Sequence, residues 1–511
     1  MLNSIYKVNR RATLGKILVI ACEPWEIELG VKTVSKIKNY QDKFIFLIAD
    51  YYSFVYQSKF IEQIFTLYNL EYLTFEQLYR NWQRKHSIDT QYNDEFLANW
   101  ESNFATLRNM HELISTNQFI TLWENKKFYY DVSDAEQNEV SVSLIKFVQE
   151  IIDINSINKI IALGRRSFLA NVAYEYSIAK KLKMLTLIST RFEFNWQLRD
   201  DFGLGTCEKY LDEIKSTEIR DETNKIVDDL KHSHKLFRAP SYEIAEKLEN
   251  ESSKSYFYLL KQIGFDIRRI ISRALFDKKS RKFKVKKFGE NLYALSLFEL
   301  LKTFRAWFIM KNHKNVFFKG DLESNSFAWF LHARPEDATS ILGLGKDEVK
   351  EILKISKILP EGCILYVKEN AQMLGARPLK FYRSIARLDN VRVLGPTFEN
   401  SIILKNVNGV LGLAGTVLLE AKLLEKPAYS LGIPEFIGIL DNQNCGSVVD
   451  FFKFAKKNSG KSSNLLAMKY LQWTLDNDFG SNVEFSSDLN SPKAKLLFNE
   501  FSIKIQEFYE S

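Results

Sequence analysis

The chain has 511 residues, of which 46% are hydrophobic and 14% aromatic, and this composition excludes a disordered or fibrous protein. The length allows two or three domains with separate buried cores. The formal net charge of +8 comes almost entirely from Lys278–Lys287, which carries seven Lys or Arg residues and no acid. Because this segment lacks the sequence context of a nucleic-acid reader, we expect no nucleic-acid partner.

The cysteines and the N-terminus indicate the compartment. Cys22, Cys207, Cys363 and Cys445 are scattered without the spacing of metal ligands, so they predict neither a disulfide framework nor a zinc site. The first 24 residues contain an apolar run of only a few residues, which is too short for a membrane span and unlike a signal peptide. We therefore expect a cytoplasmic protein.

The N-terminal half alternates buried strands with helices, which predicts a Rossmann-like domain. Residues 52–150 have mostly helical patterns rich in Phe, Tyr and Trp, and we interpret them as a helical insertion. Further helices are predicted over 167–182, in 208–262, and over the amphipathic stretch 292–310, whose charged residues argue against a membrane span. The predicted strands are Lys16–Ala21, Phe44–Asp50, Lys159–Gly164 and Met184–Ser189.

From Ser326 a tight succession of strands and helices predicts a second doubly wound domain. The fold class is therefore α/β, with two Rossmann-like domains facing a cleft. We predict domains over residues 1–320 and 321–475, and a tail with a closing helix over 476–511. The predicted strands of the second domain are Phe327–His332, Cys363–Glu369, Val391–Gly395 and Gly409–Gly415.

Four motifs follow one another between Phe327 and Phe436. They are FLHARPEDATS, LPEGCILYVKENAQMLGARPLKFYRSI, NVRVLGP and GVLGLAGTVLLEAKLLEKPAYSLGIPEF. In this order they resemble the capsule polysaccharide biosynthesis protein family, which includes the bacterial Kdo transferases. The resemblance implies a glycosyltransferase of the GT-B architecture that transfers Kdo or a related acidic sugar from a CMP-sugar donor. It also implies a polysaccharide or lipid-linked glycan acceptor and no cofactor beyond the donor itself.

The first strand end carries His332, Arg334 and Glu336. An imidazole, a guanidinium and a carboxylate at this position can bind the phosphate and hydroxyl groups of a nucleotide. We count His332 among the catalytic candidates and the other two among the donor-binding ones. Alternatively, Glu336 and Asp337 cap the next helix and His332 is a half-buried residue with a structural partner.

The second strand ends at Lys368-Glu369, and a loop and a helix start follow it. Lys368 and Arg377 supply positive charge for a donor phosphate or a sugar carboxylate, and Arg can hold a carboxylate with two hydrogen bonds. The alternative is a solvated cluster of salt bridges. The resemblance adds Glu369, Asn370 and Tyr382 to the donor-binding residues.

The third strand end leads through Gly415 and Thr416 into a helix. We predict that Thr416 caps this helix and that its N-terminal amides bind an anion. The resemblance implies that Glu420 contacts the ribose or base of the nucleotide. The alternative is ordinary strand–helix packing around a glycine turn.

Six polar residues of the N-terminal half lie at or soon after predicted strand ends. By resemblance to retaining Kdo transferases, Asp200 or Asp201 is the predicted catalytic nucleophile, although pairs of Asp residues also form turns. No pair of acidic residues with metal-binding spacing occurs at the C-terminal strand ends, so we predict no metal. The six candidates are Glu23, Asp50, Arg165, Arg191, Asp200 and Asp201.

The sequence departs from the family pattern at two positions. Asn370-Ala371 stands where the family has His-Pro, and Arg334 stands where it has Gln. Two other functions therefore stay open, which are a two-domain nucleotide-sugar epimerase and a non-catalytic protein of polysaccharide assembly. The basic segment Lys278–Lys287 is either a solvated loop or a contact to anionic lipids at the inner membrane.

Overall fold

The computed structural model describes the chain in separate stretches. They are residues 16–49, 51–74, 89–105, 107–115, 134–165, 167–189, 196–204, 206–233, 264, 267–268, 292–311, 316–333, 341–442, 446–457, 462–478 and 492–511. Within them the chain forms two β-sheets covered by helices, so the predicted α/β class with two Rossmann-like units is confirmed.

The first sheet has six strands in the order β3-β2-β1-β4-β5-β6. Neighbouring strands are parallel, except that β6 runs antiparallel to β5. The predicted strand at Lys16–Ala21 is confirmed, and every residue of β2 is buried, as expected for parallel strands covered on both faces. The strands are β1 Lys16–Ala21, β2 Phe44–Ile48, β3 Glu71–Thr74, β4 Ile157–Ala162, β5 Lys183–Ser189 and β6 Trp196–Arg199.

The second sheet has five parallel strands in the order β11-β10-β7-β8-β9. The sequence predicted four of them and missed β11, which is only three residues long. The strands are β7 Ser326–Phe330, β8 Ile364–Lys368, β9 Val391–Leu394, β10 Gly409–Gly412 and β11 Ala428–Ser430.

The described helices cover both sheets, and none of them is long and apolar enough to cross a membrane. They are α1 Pro24–Val34, α2 Tyr51–Tyr68, α3 Thr90–Phe104, α4 Met110–Ser115, α5 Asp134–Ile154, α6 Phe168–Lys180, α7 Thr206–Lys209, α8 Leu211–Ser216, α9 Asp221–Ser233, α10 Leu292–Lys311, α11 Glu348–Ile358, α12 Leu379–Ala386, α13 Asn400–Asn406, α14 Val417–Leu423, α15 Val448–Lys457, α16 Leu465–Asn477 and α17 Pro492–Glu510.

Side chains of alternate residues in the first sheet pack into two separate hydrophobic cores, one on each face. Leu18 and Ile20 of β1 pack with α3, α5 and α6, whereas Ile17 and Val19 pack with α1, α2 and α17. This alternation follows from the two-residue period of side chains along a strand. The insertion between β3 and β4 therefore completes one layer over the first sheet.

Helices from distant parts of the chain cross between the two units. Helices α8 and α9 contribute Ile214, Val227 and Leu230 to a core around the second sheet, and α10 packs against the same unit. In the opposite direction, α17 returns to the first sheet through Phe501 and Ile505. Each unit is thus completed by elements outside its own sheet, and the predicted boundary at residue 320 stays a prediction.

The two sheets meet at the edges where their parallel strands end. Arg165, which follows β4, forms an ion pair with Glu435, which follows β11, at 2.6 Å between Nη2 and Oε1. Both side chains are largely buried. Leu342 and Ala414 of the second unit also join the apolar core of the first. The polar residues after the strands are therefore close to the junction of the two units.

Helix α10 packs closely against Gly375, which lies in the loop after β8 of the second unit. Its φ of +81° is a conformation that side chains disfavour, and an added Cβ would overlap the carbonyl oxygen of Lys302 and lie 2.7 Å from the backbone nitrogen of Ala306. Gly362 has a similar φ of +71°, but an added Cβ would have only the Asn325 amide nitrogen nearby, at 4.0 Å.

We predict that Gly375→Ala destabilises the protein more than the matched control Gly362→Ala. Both changes carry the backbone cost of positive φ, but only the first forces α10 away, which adds about 1–3 kcal/mol. Urea unfolding followed by circular dichroism measures the two midpoints. Equal midpoints would show that α10 does not pack tightly on this turn.

Candidate functional site

Three of the motif-bearing strands are neighbours in the second sheet. The order β10-β7-β8 places the residues after Gly412, Phe330 and Lys368 side by side, because parallel strands end at the same edge. Phe330 pairs with Lys368, and the Leu331 amide continues the ladder by donating to the Lys368 carbonyl at 2.9 Å. The structure therefore brings the three predicted segments together.

Arg377 joins the segments that follow β7 and β8. Its side chain is fully buried, and Nη1 donates to Oε1 of Glu369. Nη2 donates to the backbone carbonyl of His332 at 2.7 Å and lies 3.5 Å from Oε2 of Glu348. Since the exposed fraction of Arg377 is zero, the alternative of a solvated salt-bridge cluster is wrong for this residue.

Glu369 is the second centre of this buried cluster. Its Oε2 accepts from the Tyr382 hydroxyl at 2.6 Å, and its Oε1 accepts from the Asn370 amide at 2.5 Å as well as from Arg377. Asn370 in turn accepts at Oδ1 from the Gln372 amide at 3.0 Å, which begins a short 3-10 turn. The loop after β8 is thus fixed by hydrogen bonds on both sides.

His332 lies against the glycine turn after β10. Its Nδ1 is 2.9 Å from Oε1 of Glu348, and a Cβ added to Gly415 would lie 2.9 Å from its Nε2. Residue 415 must therefore be glycine for the imidazole to keep this position. The ring therefore lies next to the end of β10, whereas Arg377 connects the ends of β7 and β8 by hydrogen bonds.

We expected Arg377, Glu369 and Tyr382 to contact a donor directly. The structure instead buries all three, with exposed fractions of 0%, 1% and 1%, and bonds them to one another. They form the framework of the site in this structure. Four other predicted donor-binding residues are only partly buried, namely Lys368, Asn370, Gly415 and Thr416.

Two titratable groups at the site are shifted by burial. Burial lowers the pKa of Lys368 to about 8, although neighbouring Glu369 opposes the shift, and Nζ donates to the Pro396 carbonyl at 3.3 Å. Burial raises the pKa of Glu420, on α14, to about 7. Shifts of this kind are frequent at functional sites but also occur in structural clusters.

The predicted cap at Thr416 is wrong. Thr416 precedes α14, but its backbone is already helical, with φ −57° and ψ −24°, and its side chain makes no capping hydrogen bond. A capping side chain needs an extended backbone to reach the amides of the first turn. Helix α14 is also short, with seven residues, so its amides provide a weaker anion site than we expected.

Asp200 and Asp201 follow β6, which runs antiparallel, so the rule that strand ends converge does not apply to them. Asp201 is 5% exposed and pairs with Arg199 at 2.6 Å. Asp200 is more exposed and accepts from Tyr210 at 2.7 Å. Burial acts to raise the pKa of Asp200, but hydrogen bonds from Lys209 and Tyr210 outweigh it and lower the value.

The other N-terminal candidates separate into two groups. Glu23 accepts at 2.7 Å from the Trp25 indole after β1, and Arg165 holds Glu435 at the junction of the two units. The remaining candidates, from both halves of the chain, lie outside the described residues, together with the basic segment. They are Asp50, Arg191, Arg334, Glu336 and Lys278–Lys287.

Sequence reasoning missed two carboxylates of the site, Glu348 and Glu435. Glu348 lies between two of the four motifs, and Glu435 lies at the end of the last one. The available signal for Glu348 was its place at the start of a helix directly after Asp347, whose side chain caps that helix. Nothing in the sequence identifies the partner of either residue, because the partners are distant along the chain.

A scan against protein-family models and a search of curated proteins found no match. Among solved structures, the chain is similar to UDP-GlcNAc 2-epimerase from Methanocaldococcus jannaschii, with 11% identity over 90% of this chain and 99% of that one and a TM-score of 0.21. It is also similar to KpsC, a beta Kdo 2,4 transferase from Thermosulfurimonas dismutans, with 12% identity over 61% and 78% of the chains and a TM-score of 0.27. A glycosyltransferase from Rickettsia africae ESF-5 shows 10% identity over 98% and 100%, with a TM-score of 0.23. Scores this low carry no argument about function.

We predict that Glu420 makes stability depend on pH. The pKa of its carboxyl is the ordinary 4.5 in the unfolded chain, and burial raises the pKa to about 7 in the folded chain. Between these pH values the folded state therefore binds more protons at Glu420 than the unfolded state does. The free energy of unfolding consequently falls as pH rises from about 4.5 to 7. Relative to Glu420→Gln, the wild type should lose up to about 3 kcal/mol over this range.

Denaturant unfolding of both proteins at several pH values measures this difference. Glu361→Gln, at an exposed position of the same unit, is the matched control and should follow the wild type. Parallel curves for the wild type and Glu420→Gln would show that the Glu420 carboxyl is not desolvated.

Proposed function

We propose that the protein is a glycosyltransferase that moves Kdo or a related acidic sugar from a CMP-sugar to a bacterial surface polysaccharide or glycolipid. The observation that carries the proposal is the convergence of the motif-bearing segments after β7, β8 and β10, where Arg377 connects the first two and the His332 ring lies next to the third. The order of the motifs supports the choice of donor, because these segments are the ones that resemble the capsule polysaccharide family.

The donor would be bound by the partly buried residues, which are Lys368, Asn370, Gly415 and Thr416. Lys368 is the natural partner of the donor phosphate, because an anion next to its ammonium group offsets the desolvation that lowers its pKa to about 8. Glu420, largely buried on α14, is the proposed acceptor of hydrogen bonds from ribose hydroxyls. Asn370 can donate through its side-chain amide, which makes no hydrogen bond to the described residues.

The reaction breaks the bond between the anomeric carbon and the phosphate oxygen of CMP, joins that carbon to the oxygen of an acceptor hydroxyl, and releases CMP and the hydroxyl proton. The Lys368 ammonium group is the cation proposed to stabilise the negative charge on the departing phosphate. His332, and a carboxylate of the first unit, remain the proposed catalytic residues. Both aspartates are in ion pairs, but the pair of Asp201 with Arg199 is buried, whereas the pair of Asp200 with Lys209 is about half exposed and easier to open.

A lipid-linked acceptor would place the protein at the cytoplasmic face of the inner membrane. The basic segment Lys278–Lys287 then supplies contact with anionic head groups, at about 1 kcal/mol for each Lys or Arg near the surface. This part of the proposal stands on the sequence alone, since the segment lies outside the described residues.

We predict that the full chain binds CMP more tightly than UMP or GMP in calorimetry. It should also release CMP from CMP-Kdo faster when a glycan acceptor is present. Lys368→Gln should weaken CMP binding on the order of tenfold, because it removes the charge beside the phosphate. Lys380→Gln, at a position of α12 outside the cluster, is the matched control and should bind like the wild type.

Other outcomes favour the alternative functions. Preference for UMP, with conversion of UDP-GlcNAc in the absence of an acceptor, would identify an epimerase. Binding of CMP without turnover would favour a non-catalytic assembly protein, most directly if Asn370→His restored turnover by supplying the histidine that the family has at this position.

A further inference from the structure

Glu348 is a buried carboxylate that the sequence motifs do not include. It occupies the first position of α11 and is 1% exposed. The preceding Asp347 caps the helix, since its side chain accepts from the amides of Val349 at 2.8 Å and Lys350 at 3.2 Å. Glu348 is therefore not needed as a cap, and its side chain turns inward to the end of β7.

One oxygen of Glu348 faces three donors of the β7 segment. Oε1 lies 3.3 Å from the indole nitrogen of Trp329, 3.1 Å from the backbone nitrogen of His332 and 2.9 Å from Nδ1 of His332. The other oxygen, Oε2, lies 3.5 Å from Nη2 of Arg377. The carboxylate thus holds both the backbone and the ring of His332.

This arrangement decides where His332 carries its proton. An ionised carboxylate accepts hydrogen bonds and donates none, so Nδ1 must bear the hydrogen that points at Glu348. The opposite ring atom, Nε2, then faces the glycine turn after β10, where it lies 2.9 Å from a Cβ built on Gly415. Fixing one ring nitrogen in this way defines what the other can offer to a ligand.

We propose that Glu348 is a positioning residue that holds His332 with a protonated Nδ1 and directs Nε2 to the ligand at the turn Gly412–Gly415. The proposal rests on the proposed function for the identity of that ligand, a phosphate or hydroxyl group of a nucleotide sugar. It extends that function by giving a role to a residue that lies outside the four motifs.

The direct test is nitrogen-15 NMR of the full chain labelled at histidine. His332→Gln identifies the signals of this ring among the six histidines of the chain. In the wild type we expect Nδ1 to carry a proton at every pH at which the chain is folded. A ring whose Nδ1 is bare while Nε2 is protonated would overturn the proposal, and this measurement needs no variant of Glu348.

Glu348→Gln tests the role of the carboxylate. An amide at this position keeps its oxygen toward the three donors of the β7 segment and places its nitrogen toward Nη2 of Arg377, so Nδ1 of His332 should stay protonated. A neutral amide oxygen accepts hydrogen bonds more weakly than a carboxylate, so the ring is held less firmly and CMP binding should weaken on the order of tenfold. Glu351→Gln on the same helix, where the carboxylate pairs with Lys354, is the matched control and should leave both measurements unchanged.

A folded Glu348→Gln protein that binds CMP as tightly as the wild type would also overturn the proposal. Failure of the proposed function is distinguishable, because a wild type that does not bind CMP would still show the protonated Nδ1. If Glu348→Gln does not fold, as judged by circular dichroism, the wild-type spectrum alone decides.

Discussion

The arrangement of the segments that follow β7 and β8 in the second sheet depends on one buried guanidinium. Arg377 has no exposed surface, and it holds Glu369 after β8 and the His332 carbonyl after β7 while facing Glu348 at the start of α11. Breaking a buried ion pair by removing one partner costs about 3–5 kcal/mol, against about 0–1 kcal/mol for an exposed pair. The position of these strand ends is therefore set by this contact more than by the exposed charges around it.

The turn at Gly375 and the hydrogen bond from Tyr382 help to fix the position of that guanidinium. Gly375 allows the chain to turn between the end of β8 and Arg377 while α10 lies against the turn. Tyr382 on α12 then completes the bonds of Glu369 from the opposite side. Because the charges of the framework are bonded to one another, Lys368 and Asn370, which are less buried, are the residues proposed to contact a ligand.

The repeated strand and helix pattern made most of the fold predictable from the sequence. Long apolar runs in the middle of each sheet, such as β1 and β8, were identified because both faces of a parallel strand are buried. The missed strands β3, β6 and β11 all lie at sheet edges, where a strand is short or half exposed and the apolar pattern is weak.

The site was predictable as a location but not as a set of contacts. Motif spacing placed His332, Lys368 and Gly415 at one edge, which the sheet order confirms. It could not show that Arg377 is internal, because burial depends on α10 and α11 packing from other parts of the chain. For the same reason the pairing of His332 with Glu348 could not be inferred from sequence positions alone.

The central claim is that a nucleotide binds where the segments after β7, β8 and β10 meet. Hydrogen–deuterium exchange of the full chain with and without CMP tests it most directly, because bound ligand slows exchange of the amides around it. We expect protection of peptides that include residues 368–377 and 412–420, with little change in the first sheet. Protection confined to the strand ends of the first sheet, or no protection at saturating CMP, would contradict this account.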